Sequence, residues 1–168
     1  MKSLKKPPMK RSRNNNTAWW VLTLIAAIVA TSCSNDGCIG NGSSIPLVAF
    51  YDYQTGEQGK VLGITVKGIG APGDSLLADS TDVQQLYLPL QVSTSSSSFV
   101  FDFNIEGREP DTLTLNYEAV PYFLSNECGA MYLFNMKGST VTHHVIDSVA
   151  LPYPVINNED KITIKIYI

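Results

Sequence analysis

Phe99-Val100-Phe101-Asp102-Phe103-Asn104-Ile105 is the stretch that decides the fold. Three phenylalanines and an isoleucine fall on every second residue, with Asp102 and Asn104 between them. Side chains two apart share one face of a strand, so this spacing predicts a half-buried β-strand. The same period recurs on either side. Leu113, Leu115, Tyr117 and Ala119 alternate with Thr112, Thr114, Asn116 and Glu118. Towards the end, Ile162, Ile164, Ile166 and Ile168 alternate with Thr163, Lys165 and Tyr167, which predicts a core strand. Weaker strands are legible at 47–53, 61–67, 85–91, 131–136 and 145–151. That makes about eight, enriched in β-branched and aromatic residues.

Turn chemistry separates them: Gln54-Thr55-Gly56, 68–74, 93–98, 107–110, Lys137-Gly138-Ser139 and 157–160. The run Ser93-Thr94-Ser95-Ser96-Ser97-Ser98 reads as a polar hairpin loop. No stretch of ten residues after Cys33 carries a 3.6-residue period, and no internal repeat is present. The predicted class is all-β, an antiparallel β-sandwich of about eight strands, with a small barrel as the alternative. Immunoglobulin-like connectivity is one way to join such strands.

The N-terminus is different. Lys2, Lys5, Lys6, Lys10, Arg11 and Arg13 fall in the first 18 residues, which hold no acid. An apolar run from Trp19 to Ala30 follows. Twelve helical residues rise about 18 Å, short of the roughly 30 Å hydrocarbon core. A basic segment, a short apolar segment and a small-residue exit predict a secretory signal helix, not a membrane span. The exit, Val29-Ala30-Thr31-Ser32-Cys33, resembles the bacterial lipobox, although Ala30 stands where leucine is usual. Residues 1–32 are then a lipoprotein signal peptide and Cys33 takes the lipid. Cys38 is a rival acylation site, but polar Asn35-Asp36-Gly37 precedes it; a plain signal peptide cut near Ala30 is a second alternative. Residues 33–46, rich in Gly, Asn and Ser, form a flexible lipidated tether, and 47–168 form the β-sandwich domain.

Removing 32 of the 168 residues leaves 136, one domain's worth. All fifteen acids but only six bases lie beyond Cys33, a net charge of −9. Such a balance carries no footprint for nucleic acid and would be repelled by anionic lipid headgroups. Attachment to the membrane must therefore come from acyl chains. Two cysteines remain, Cys38 and Cys128. Export favours a disulfide between them, two unpaired thiols being the alternative. On the chain-entropy account, closing a loop of about 90 residues stabilises by roughly 4–5 kcal/mol.

Several motifs invite an enzyme reading. Gly73-Asp74-Ser75-Leu76 spells the signature of the GDSL esterases, whose nucleophilic serine needs a histidine from a later Asp-x-x-His element. Thr140 stands three residues before His143 and Val141 three before His144, so the stretch reads as a turn. On a strand His143 and His144 would point to opposite faces, and the same-face Asp147 lies about 13 Å along, too far for one zinc ion. His144, Asp147 and Ser148 hold the letters of a triad but sit too close in sequence to converge as one. Asp74, Asp79 and Asp82 lack calcium-loop spacing and read as a solvated acidic loop. No catalytic residue, metal or cofactor is expected. The tyrosines Tyr51, Tyr53, Tyr87, Tyr117, Tyr122, Tyr132, Tyr153 and Tyr167 divide between core packing and exposed ligand platforms.

Leu86-Tyr87-Leu88-Pro89-Leu90, Phe99-Val100-Phe101, Asp111-Thr112-Leu113-Thr114-Leu115, Glu127-Cys128-Gly129 and Ile146-Asp147-Ser148-Val149, with the lipobox, resemble a family of small uncharacterised lipoproteins of Bacteroidetes-type bacteria. The resemblance covers most of the chain after Cys33 and implies an envelope lipoprotein with no activity attached. Asp36 is the one acid close behind Cys33, which favours the periplasmic face of the outer membrane over surface display. The expectation is a lipid-anchored, non-catalytic module that binds or scaffolds another envelope component. The alternative is a carbohydrate- or peptide-binding module using exposed tyrosines or a sheet edge.

Overall fold

A computed structural model describes residues 44–70, 75–125 and 129–168. The described part is all-β, with ten strands in two sheets. In chain order these are β1 (Leu47–Tyr51), β2 (Val61–Ile69), β3 (Leu76–Val83), β4 (Gln85–Tyr87), β5 (Ser96–Asp102), β6 (Asp111–Ser125), β7 (Gly129–Val141), β8 (Ser148–Ala150), β9 (Val155–Ile156) and β10 (Ile162–Tyr167). The larger sheet runs β3-β2-β5-β6-β7-β9 and is antiparallel throughout. The smaller runs β4-β1-β10-β8.

The alternation around Phe99 does what its spacing dictates as far as Phe103, but β5 ends at Asp102, Asn104 is left-handed with φ of 52°, and Ile105 is 50 % exposed instead of sharing the buried face. Phe99, Phe101 and Phe103 are buried while Val100 and Asp102 are half-buried. Phe101 meets Phe50 of β1 edge to face, with ring centroids 6.3 Å apart, so one contact ties the two sheets. Around it Val48, Ile164 and Ile166 from the smaller sheet and Ile64, Val66, Leu113 and Leu115 from the larger are fully buried in one cluster. The architecture is a sandwich with a single core.

Several of the sequence expectations need correction. The strand count is ten, because β3 and β9 were not foreseen. The pairing of β1 with β10 is parallel, Val48 lying opposite Ile164 and Phe50 opposite Ile166. The two strands are at opposite ends of the domain, so no short connection constrains their direction. Accordingly β1 is a continuous apolar run, Leu47-Val48-Ala49-Phe50, buried at every position, as central parallel strands are. Sheets of four and six strands, with first and last joined in parallel, differ from the four and three of a constant-type immunoglobulin domain.

The serine run is not all loop. Ser96–Ser98 open β5, and Ser97 is buried with its hydroxyl 2.6 Å from that of Tyr117. Nor is Lys137-Gly138-Ser139 a turn between strands; it lies inside β7. The ladder to β6 slips between Asn116 and Tyr117, and Gly138, facing Asn116, holds φ at 138°, which glycine tolerates best. At the start of the described chain, Ser44 and Pro46 are buried, and the Pro46 carbonyl accepts from the Leu88 amide at 3.0 Å. The last residues of the expected tether therefore rest on the body.

Candidate functional site

Cys33, Cys38 and Cys128, the residues predicted to carry lipid and disulfide, lie outside the described residues. So do Gly73 and Asp74. Ser75 precedes β3, where its carbonyl accepts from the Gly68 amide at 2.8 Å, a strand-pairing role. Asp82 pairs with Lys60 at 3.0 Å and accepts from the Gly63 amide, and the Lys60 hydrogen bond, foremost, holds its carboxyl below the usual range.

The histidines are in a loop, not on a strand, which corrects the geometry assumed from sequence. That loop, 142–147, wraps a buried carboxylate. Asp111, the first residue of β6, accepts from the amides of His144, Val145 and Ile146 and from the Thr142 hydroxyl, at 2.7–2.8 Å. Burial alone would raise this carboxyl; the four donors outweigh it and hold it below its ordinary value. With its Oδ atoms thus occupied, Asp111 fixes the loop and has no lone pair aimed at a substrate. Around it Arg108, His143, His144 and Asp147 line an open polar bowl of about 600 Å³. Arg108 is committed to the His144 carbonyl and His143 Nδ1 stands 2.9 Å from the Ile146 carbonyl, so both serve the loop. Among the described residues no three His, Cys, Asp or Glu side chains converge as metal ligands would.

A larger groove, about 780 Å³, opens beside β4, where the smaller sheet ends. Leu47, Leu77, Leu86 and Ile162 line its apolar part, and Gln85, Tyr87, Asp160 and Lys161 its polar part. Tyr87 donates to Asp160 Oδ1 at 2.5 Å, and that bond, ahead of burial and the carboxylate's charge, raises the phenol above its ordinary pKa. Lys161 ion-pairs with Glu159, and its Nζ lies 4.2 Å from the centre of the Tyr153 ring. An aliphatic floor with an aromatic wall and a rim of fixed donors and acceptors suits an amphipathic ligand, as sugars and short peptides are. A smaller groove, about 350 Å³, is lined by Ile45, Pro89, Leu90, Val92, Ala130, Met131, Tyr132 and Phe134.

The tyrosines divide between the roles anticipated for them. Tyr117 is buried, its hydroxyl donating to the Gln91 carbonyl at 2.8 Å and accepting from the Gln91 amide at 3.1 Å. Tyr53, Tyr87, Tyr122, Tyr132 and Tyr153 are exposed. Of the groove residues, the sequence marks Tyr87 alone as a candidate ligand contact. By sequence Asp160 is only the end of a turn; it lies 73 positions beyond Tyr87, and nothing local marks the pair.

Residues 63–168 match DUF6452, described as a family of unknown function. The chain belongs to it. No curated protein and no solved structure matches the chain. The DUF6452 stretch begins inside β2 and runs through β10, so it leaves out β1 and with it Leu47 of the larger groove. The other seven lining residues fall within it.

Proposed function

We propose that this DUF6452 protein is a lipid-anchored, non-catalytic binding module of the cell envelope, facing the periplasm from the outer membrane, with the groove beside β4 as its recognition surface. The Tyr87–Asp160 rim over an aliphatic floor carries the reading. Its chemistry favours a carbohydrate or an extended peptide over a charged small molecule: the rim is held by internal bonds and offers polar atoms beside apolar carbon. The chain's signal-like start and Cys33 supply the anchor, and its acidity makes acyl chains the natural means of attachment. A Cys38–Cys128 bond belongs to the same proposal. Ile45, seven residues beyond Cys38, and Ala130, two beyond Cys128, line one groove.

Fractionation tests the anchor. Wild-type protein should take up a fatty-acid analogue and sediment with membranes, whereas Cys33→Ala should do neither. Labelling that survives the substitution would overturn Cys33 as the site. The intact mass of the purified protein should fit a chain beginning at acylated Cys33, lower by two hydrogens if Cys38 and Cys128 are joined. For the groove, arrays of envelope glycans and peptides should yield a binder lost in Tyr87→Ala; a binder indifferent to that change would move the site elsewhere.

A further inference from the structure

β6 and β7 are longer than the sheet that holds them. Fifteen residues of β6 extend about 50 Å at 3.3 Å each, yet β5 pairs with it only from Asp111 to Asn116. On the other side β9 supports β7 only at Phe134 and Asn135. Beyond these contacts, Val120–Phe123 and Met131–Leu133 with Ala130 form a two-stranded ribbon among the described residues. Directly opposed residues share a face, so Pro121 with Tyr132, and Phe123 with Ala130, occupy one face, and Tyr122 with Met131 the other. Phe123 is 63 % exposed, Val92 49 %, Tyr122 45 % and Tyr132 41 %. A two-stranded ribbon is marginal in water by itself, and this one gives water its aromatic rings.

Charge singles out the same end of the molecule. The chain beyond Cys33 carries a net −9, but residues 119–136 and 88–92 contain a single charged side chain, Glu127 between the two strands, and residues 119–125, 129–136 and 88–92 contain none. The path towards Cys33 also starts here, since Ile45 lines the groove together with Ala130, Met131 and Tyr132. Ser44 is eleven chain steps beyond Cys33, a reach of at most about 40 Å.

We propose that the β6–β7 ribbon, through Tyr122, Phe123, Tyr132 and neighbouring Val92, seats in the headgroup region of the bilayer that holds the Cys33 lipid. This rests on the anchor proposed above. The partner is a lipid surface because the patch is uncharged where the rest is acidic, aromatic where an interface favours tyrosine, and tethered within reach of the bilayer. Its depth is interfacial. The ribbon's outer backbone edges have no strand to pair with among the described residues, and hydrocarbon would leave those amides unsatisfied whereas hydrated headgroups do not. Contact at this end sets the domain's orientation, so that the tether does not let it tumble.

Tryptophan fluorescence tests this directly. Both tryptophans, Trp19 and Trp20, precede Cys33, so the processed acylated protein has none. Phe123→Trp, and separately Tyr132→Trp, would be reconstituted into phosphatidylcholine vesicles with or without brominated acyl chains, beside Leu62→Trp on remote β2. A ring seated about 5–10 Å deep should be blue-shifted and quenched roughly two-fold by bromine, with the Leu62→Trp reporter unaffected. Quenching no greater than at position 62, or shielding from both bromine and dissolved acrylamide as under a second copy, would overturn the proposal. The same samples' intact mass separates the two failures. An acylated chain with an unquenched reporter sinks this surface alone; a chain without acyl groups sinks the anchor and the surface with it.

Discussion

The two halves of the β6–β7 hairpin share one pair of strands, the inner alternating apolar with polar residues along β6 and the outer apolar throughout, yet they have opposite fates. In the inner half Tyr117 and Phe134 are each 2 % exposed, their rings meeting edge to face at 5.3 Å, and Leu113 and Leu115 are fully buried. In the outer half Phe123 and Tyr132 are exposed. Apolar content therefore does not decide burial; whether an apolar face is buried depends on what lies across from it. The inner half has β5 beside it and belongs to the core shared with the smaller sheet; among the described residues the outer half is paired only with its own partner strand.

The largest effect should come from truncating the inner half. Phe134→Ala removes a buried ring and leaves a cavity against Tyr117, so it should lower unfolding free energy by about 3–5 kcal/mol in urea titration. A loss below about 1 kcal/mol would mean that the inner half is as loosely held as the outer one.

Next comes the base of the same hairpin, where Asp111 ties β6 to the loop leaving β7. Asp111→Ala strands three amides and a hydroxyl in a buried site and should cost on the order of 3 kcal/mol. The pH dependence has a definite sign. The folded carboxyl titrates below the unfolded one, whose pKa is near 4, so its contribution is fully present above that value. It is lost as pH falls from there through the lower folded value. Asp111→Asn should flatten that segment of the stability–pH curve, and an unchanged slope would show that the carboxylate is not what the loop depends on.

These contrasts follow how much the sequence disclosed. β5, the first part of β6 and β10 are legible because buried and half-buried residues alternate along them, buried Thr163 of β10 aside. β3 is not: Ala78 and Val83 are its only buried residues, five positions apart, and a left-handed Ser80 with φ of 44° breaks its period. Ser97 looked like loop because its burial depends on a hydroxyl twenty residues away. The parallel β1–β10 pairing joins segments 116 residues apart, as the Leu47 amide bonding Thr163 Oγ1 illustrates, and no local pattern encodes that. The groove fails for the same reason. Tyr87 was one tyrosine among eight, and Asp160 acquires meaning only where β4 and the start of β10 come together.

The smallest effect should be at the hairpin's far half, and its smallness is informative. Phe123→Ala removes as many atoms as Phe134→Ala, from the same hairpin, but the ring is mostly in water already. With little area to lose and no cavity to leave, stability of the detergent-solubilised protein should stay within about 0.5 kcal/mol of wild type. Reconstitution in vesicles should break that near-equality if the ribbon rests on lipid. There the wild type gains an interaction its variant lacks, and the same urea titration should separate them. Equal midpoints in both settings would make Phe123 an idle surface ring, whereas a large loss already in detergent would mean that the outer half is packed against protein after all.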